Sequence, residues 1–366
     1  MPRVGRPKVY AIAIEVTAHC QQKCDYCYNA WREDNGAGFE AGNAKKLLAR
    51  VDKVLSALEV DHVTVTGGEP FARRDVFELF DLVRSRGVGI QIISNGGLVD
   101  DETAARLAPY GVHYVQVTLD GPNAALHDEH VGGDGHFEKA IAGIRALVRH
   151  GVRVVGCIVV TRKNAAHVAD TLELFRSLGV SDIALSRFSP AGYAARHAAT
   201  LLPSRDDLLV AFRQAIPFMT EHGMRITCTM PVPPCAVEVE ELEPLVFGTC
   251  AIGTSMQELA LGPDGRLRNC TLHKSALGGD VLDDDVDPAA IVTSAAVREY
   301  KRTVPAFCEG CLHQHTCGGG CGAAAEWVLG SRAMPDPFVF QHVDDEFADR
   351  LARERDSGKR RLDVIV

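Results

Sequence analysis

The chain has no excess of basic residues: 39 Lys and Arg against 48 Asp and Glu give its 366 residues a net charge of -9. That balance excludes a general affinity for a nucleic-acid backbone, which requires a basic face, so no nucleic-acid partner is expected. No apolar run approaches the roughly 18 residues of a membrane span. The first eight residues, Met-Pro-Arg-Val-Gly-Arg-Pro-Lys, hold no apolar stretch of the secretory-signal kind. No membrane association is expected, and the cytoplasm is the expected compartment. Short repeats of the solenoid type are missing too. Twelve cysteines are too few in a chain this long for a small disulfide scaffold. None of them follows Cys321.

What is present is a chain long enough for two or three domains, with its cysteines clustered as metal ligands are in a reducing compartment. Three lie in Cys20-Gln-Gln-Lys-Cys24-Asp-Tyr-Cys27, directly after the apolar run Val9 to Val16. This places a metal site on the loop leaving a strand. Three thiolates are one short of a closed zinc site or a fully ligated iron-sulfur cube, so a 4Fe-4S cluster held here would keep one iron open. Part of a zinc site is the alternative. Tyr26, just before the third cysteine, is placed to cover the cluster or meet a ligand's ring.

Further apolar runs at Val63 to Thr66, Ile90 to Ser94, Tyr114 to Leu119, Val152 to Val160 and Ile183 to Ser186 alternate with amphipathic stretches at Ala44 to Leu58, Val76 to Arg86, Phe137 to His150 and Val168 to Leu178. The pattern predicts six parallel strands in a βα repeat with right-handed crossovers, closed by a helix over Ser204 to Gly223. Such sheets carry their chemistry at the carboxyl ends of the strands, where the cysteine loop sits. The second strand exits into Thr66-Gly67-Gly68-Glu69-Pro70: two glycines that let the backbone approach a ligand, and an acceptor suited to an ammonium group. An ordinary strand-exit turn is the alternative. Ser94-Asn95-Gly96 ends the third strand and Asp120-Gly121 the fourth, where Asp120 could instead cap the turn before Pro122. Arg187, after the sixth, could pair with a carboxylate or form a surface salt bridge.

From Met230 the texture changes, with Pro231, Pro233, Pro234 and an acidic stretch from Glu238 to Glu243. A linker is expected over 226–247. Beyond it come Cys250, fourteen residues, Gly265, four residues and Cys270, with Ser255 to Leu261 and Arg266 to Asn269 readable as a hairpin. Cys308-x2-Cys311-x5-Cys317-x3-Cys321 then gathers four thiols, an iron-sulfur or zinc signal that spacing alone does not resolve. Cys157 and Cys228 lie in strand-like runs and are expected to be inert and buried.

Cys20, Cys24 and Cys27 resemble the CxxxCxΦC motif of the radical S-adenosylmethionine (SAM) superfamily. The resemblance implies an α/β fold, a partial (β/α)6 barrel over residues 1–225. It also implies a 4Fe-4S cluster whose open iron chelates SAM, cleaved by one electron to methionine and a 5'-deoxyadenosyl radical. Gly67, Gly68, Glu69 and Pro70 resemble the family's GGEP motif beside the methionine amino group. Ser94, Asn95 and Asp120 match positions near the ribose and methionine, and Tyr26 and Arg187 join them as candidate cofactor contacts.

The later cysteines resemble the SPASM domain, placed over 248–345, which binds two auxiliary iron-sulfur clusters in radical SAM peptide maturases. By that correspondence Cys250, Cys270 and Cys321 hold the first, with Cys235 as its fourth ligand, and Cys308, Cys311 and Cys317 the second. The pattern's seventh cysteine is missing here. Either one or two auxiliary clusters are therefore expected; His342 is the leading substitute ligand, followed by Asp336, Asp344 and Asp345, with an open iron or no second cluster as the other outcomes. Residues 346–366 are read as a charged helix and tail.

The function implied is radical modification of a ribosomally made peptide, in the manner of the pyrroloquinoline-quinone and mycofactocin maturases, with a flavodoxin- or ferredoxin-type electron donor. About eight residues precede the first strand, so the expected route for a peptide is a separate leader-recognition protein, or direct binding by the barrel mouth and tail. Sulfatase maturation is disfavoured, because Thr271 stands where those enzymes place an aspartate. A radical SAM dehydrogenase of a small alcohol or sugar, and a non-catalytic iron-sulfur electron carrier, are the alternatives.

Overall fold

A computed structural model describes residues 5–34, 44–273, 275–300 and 304–340. Six strands, β1 (Lys8–Glu15), β2 (Glu59–Thr66), β3 (Gly89–Ser94), β4 (Tyr114–Thr118), β5 (Val154–Val160) and β6 (Asp182–Arg187), are neighbours in that order and pair in parallel. They are the six the apolar runs predict. Ala11, Ile12, Ala13 and Ile14 are each 1% exposed, so both faces of β1 are covered, the reason a parallel strand reads as a continuous apolar run rather than an alternating one.

Helices α1 (Ala44–Ala57), α2 (Val76–Ser85), α3 (Asp101–Leu107), α4 (Ala124–Val131), α5 (His136–Arg149) and α6 (Val168–Ser177) lie between the strands. In α5 the buried set Phe137, Ala140, Ile141, Ile144 and Leu147 recurs every three or four residues, one apolar stripe laid on the sheet. The closing helix α7 (Arg205–Thr220) starts at a capping box between Ser204 and Asp207. Short α3 and α4 escaped the sequence reading because neither presents a long apolar stripe.

The stretch expected to be a linker has a short strand at each end. β7 (Arg225–Cys228) pairs in parallel with β6, and β8 (Val246–Phe247) with β7. Strands of four and two residues with prolines between them show no readable alternation. The hairpin is present as β9 (Glu258–Leu261) and β10 (Leu267–Arg268), turning where Gly265 takes φ +83°. It does not stand apart: β9 pairs in parallel with β1, and one ten-stranded sheet runs β10-β9-β1-β2-β3-β4-β5-β6-β7-β8. Arg50 of α1 secures the junction, donating to Pro263 O (2.8 Å), Asp264 O (2.9 Å) and Asp280 Oδ1 (3.0 Å). Glu15 and Arg268 add a buried ion pair between β1 and β10.

Cys157 and Cys228 are buried on β5 and β7, as expected. His342, Asp344, Asp345 and the tail lie outside the described residues. Among the described residues no helix is long and apolar enough to cross a membrane.

Candidate active site

At the carboxyl ends of the strands a cavity of about 210 Å³ opens. Cys20, Cys24 and Cys27 face it from the loop after β1, with Tyr26 and Tyr28 beside them. The loop is held from several sides. Lys23 N–H donates to Val131 O (2.9 Å) and Asp25 N–H to His130 O (3.3 Å), both at the end of α4, and Ala194 N–H donates to Cys27 O (2.9 Å). Asn95 Nδ2 points at Cys20 Sγ (3.6 Å), while its Oδ1 accepts from Gln21 Nε2 (2.8 Å). Burial pushes the Cys20 thiol up to about 12 and raises Cys24 and Cys27 as well; neighbouring thiolates add to the rise at Cys20 and Cys24. Thiols this deep and this close ionise together only against a cation, so the donor set fits a metal cluster.

Gly67 and Gly68 line the cavity, and the close approach of the cysteine loop by itself requires glycine at both. A Cβ at Gly68 would overlap the His19 carbonyl oxygen, and one at Gly67 would lie 2.6 Å from Thr17 O. Gly68 N–H donates to Thr17 O (2.6 Å) and Glu69 N–H to His19 O (2.8 Å), so the turn after β2 buttresses the loop after β1.

Glu69 is completely buried and absent from the cavity wall. Its Oε1 accepts from Phe71 N–H (3.0 Å) and Ser94 Oγ (2.8 Å), its Oε2 from Asn95 N–H (2.9 Å). The expected ammonium acceptor is thus engaged in joining the ends of β2 and β3, and Pro70 lies buried beside it. Burial lifts the Glu69 carboxyl to about 7, against three hydrogen bonds that pull it down.

Ser94 and Asn95 do line the cavity. Asp120 sits behind the wall, its Oδ1 accepting from Val159 N–H (2.9 Å) and its buried Oδ2 without a hydrogen bond, in electrostatic reach of Tyr26 and Cys24. Arg187 touches the cavity, yet its guanidinium is committed elsewhere. It donates to Asp336 Oδ2 (2.6 Å) and Pro231 O (3.0 Å), in an ion pair whose side chains are both 0% exposed. The surface-salt-bridge reading is excluded, and Asp336 is no free cluster ligand: Cys321 N–H (3.0 Å) and Phe338 N–H (2.9 Å) also hold its carboxylate.

The sequence reading missed Tyr28, whose hydroxyl lies 3.2 Å from Thr66 Oγ1, and the wall positions Gln116, Thr118 and Ser186. Gln116 and Thr118 are two apart on β4, the period by which inward-facing residues could have been found. Ser189, Met230 and Leu272 bring the far wall close to Cys321: Ser189 Oγ lies 3.7 Å from its Sγ, and Met230 and Leu272 pack against the small cluster it forms with Ala323 and Ala324.

None of the twelve cysteines is drawn into a disulfide. The later ones form two groups. Cys270 stands with Cys250 and Cys321, whose charges oppose its ionisation. Cys235 stands with Cys317, Cys308 and Cys311, not with the first group as expected. Among the described residues no three Cys, His, Asp or Glu converge on a point that would hold a single metal ion. Thiols that each take a different iron of a cluster need no such convergence.

A parallel barrel sheet with three thiols on its first βα loop defines the class. Residues 14–175 match the family model described as the Radical SAM superfamily, and the chain carries a radical SAM domain. Among particular proteins, it is similar to the mycofactocin maturase MftC of Mycobacterium tuberculosis, 26% identical over 358 residues that cover 95% of this chain and 86% of the relative. It is similar as well to the PqqA peptide cyclase of Gluconobacter oxydans, 24% identical over 334 residues covering 89% of each chain. In fold it resembles Streptococcus suis SuiB bound to the precursor peptide SuiA, with a TM-score of 0.69 and 17% identity over 91% of this chain and 76% of that one.

Proposed function

We propose that this chain is a radical SAM peptide maturase: it binds SAM at the Cys20, Cys24, Cys27 site and modifies a side chain or α-carbon of a ribosomally made peptide. The observation that carries the reading is three half-buried thiols facing one cavity at the strand ends, braced by the Gly67-Gly68 turn. The names of the relatives, a maturase and a peptide cyclase aligned over most of the chain, support a peptide substrate. They give no support to the small-alcohol dehydrogenase or the electron carrier.

A 4Fe-4S cluster bound by the three thiols would supply, with SAM, the one-electron cleavage that yields a 5'-deoxyadenosyl radical. The residues around it have separable tasks. Asn95 and Gln21 hold Cys20 in place, Tyr26 and Tyr28 offer ring faces to a bound ligand, and the polar ends of β4 and β6 supply donors and acceptors. Glu69 and the two glycines position the loop. The buried Arg187–Asp336 pair closes the wall toward the second half, where the remaining thiols are proposed to hold auxiliary iron-sulfur clusters that accept an electron from the oxidised substrate. The electron donor is proposed to be of flavodoxin or ferredoxin type, and the compartment cytoplasmic. Leader recognition is proposed to fall to a separate protein or to the barrel mouth.

The test is anaerobic reconstitution with a reductant and SAM. The full chain should release 5'-deoxyadenosine, and co-expression with a precursor peptide encoded beside it should change that peptide's mass. Replacing Cys20, Cys24 and Cys27 together by alanine should abolish 5'-deoxyadenosine and remove about four irons per chain while leaving the auxiliary iron. Cleavage that survives the triple replacement refutes the assignment.

A further inference from the structure

The seventh cysteine expected after Cys321 is missing; of the residues offered as substitutes, Asp336 is held by Arg187, and His342, Asp344 and Asp345 lie outside the described residues. A thiol reaches the place from the other direction along the chain. We infer that Cys235 is the fourth thiolate of the Cys308, Cys311, Cys317 site, leaving Cys250, Cys270 and Cys321 as a separate three-thiolate site against the barrel cavity. The inference rests on the iron-sulfur reading proposed above.

The segment carrying Cys235 is fixed over the cysteine knuckle. Arg187 donates to Pro231 O at one end, and Arg205 Nε donates to Ala236 O (3.1 Å) at the other. Between them Ala236 and Val237 N–H donate to Pro233 O (2.9 and 3.2 Å), a turn that contains Cys235. Pro233 presses on the knuckle, its Cγ 3.0 Å from where a Cβ on Gly320 would stand, and Cys308 Sγ lies 3.5 Å from where a Cβ on Gly319 would stand. The charges that reach Cys235 are those of Cys317, Cys308 and Cys311; none of the first group is among them.

Three successive glycines divide the two sites. Gly318, Gly319 and Gly320 have φ of +61°, +88° and +84°, a path that side-chain-bearing residues rarely take. It lets Cys317 and Cys321 face different ways. Gly320 N–H donates to Cys317 O (3.1 Å), while Cys321 Sγ accepts from Ala324 N–H (3.5 Å) and lies beside Ser189 at the cavity wall. A first site with three thiolates would hold an iron-sulfur cluster with one position not filled by sulfur, next to the space where the substrate reacts.

The experiment uses the full chain with Cys20, Cys24 and Cys27 replaced by alanine, reconstituted anaerobically and read by iron and sulfide content and by electron paramagnetic resonance after reduction. Where Cys250, Cys270 and Cys321 are replaced as well, only the second site remains. There, Cys235→Ala should remove about four irons or convert the signal to a three-iron form. Cys235→Ser, which keeps an oxygen ligand, should retain iron and shift that signal, and it carries the test if the alanine variant fails to fold. Where Cys308, Cys311 and Cys317 are replaced instead, neither Cys235 variant should change the remaining spectrum. A Cys235 effect on the Cys250, Cys270, Cys321 signal overturns the inference, as does no effect at either site. Absence of auxiliary iron when all the later cysteines are intact overturns the iron-sulfur reading itself.

Discussion

Replacing Asp336 by alanine separates the two roles open to Arg187. With the carboxylate gone, a guanidinium that is 0% exposed keeps the Pro231 and Phe188 carbonyls but loses its counter-charge at 2.6 Å. Removing one partner of a buried ion pair costs about 3–5 kcal/mol. Cys321 and Phe338 N–H lose their acceptor at the same time, each worth roughly 1–3 kcal/mol when left buried and unsatisfied. These contributions overlap, so about 3 kcal/mol is the floor expected from urea unfolding followed by circular dichroism. Arg187→Met should lose a similar amount. The double variant, Arg187→Met with Asp336→Leu, should recover part of it, with a coupling energy of at least about 1 kcal/mol, because two apolar groups replace two charges. Single-variant losses below about 1 kcal/mol, or losses that simply add, would refute the pairing as the anchor of this region. If SAM affinity falls in Arg187→Met while stability does not, Arg187 is a cofactor contact after all.

Glu69 carries a pH signature: burial raises its carboxyl from 4.5 to about 7 in the fold, so its contribution to stability is fully present below 4.5 and is lost as the pH rises through 7. The fall is about 3 kcal/mol at roughly 1.4 per unit, measurable by urea unfolding across that range; Glu69→Gln should flatten the slope, and an unchanged slope assigns it to another group. Gly68→Ala should displace the loop through the His19 carbonyl, lowering the iron content by about four per chain while sparing the auxiliary signals; full iron content would show that the loop yields without losing its geometry.

Much of the barrel was legible because buried parallel strands leave unbroken apolar runs, and the loop motif because three thiols within eight residues leave few other uses. Three things were not. Which thiols share a site is a matter of chain path, and Cys235, fifteen residues before Cys250, was assigned by sequence order to the nearer partner and lies with the farther one. The hydrogen bonds by which Glu69 ties two strands together were not legible, because an acid after two glycines looks the same whether it faces a ligand or joins neighbouring strands. The docking of β9 on β1 could not be foreseen, since edge pairing between residues so far apart leaves no periodic trace.

That last pairing has a consequence for how the protein is made. Ala11 waits for Glu258, 247 positions later, before its outer edge finds a neighbour. At about 5–20 residues per second of synthesis, the strand feeding the radical loop leaves the ribosome roughly 12 to 50 s before its edge is covered. During that interval a β-prone segment, Val9-Tyr-Ala-Ile-Ala-Ile14, presents unpaired N–H and C=O groups, a template on which nascent chains can pair with one another. Any product that stops short of Glu258 keeps that edge for good. Completion of the hairpin therefore ends the chain's most aggregation-exposed period as well as joining the two halves.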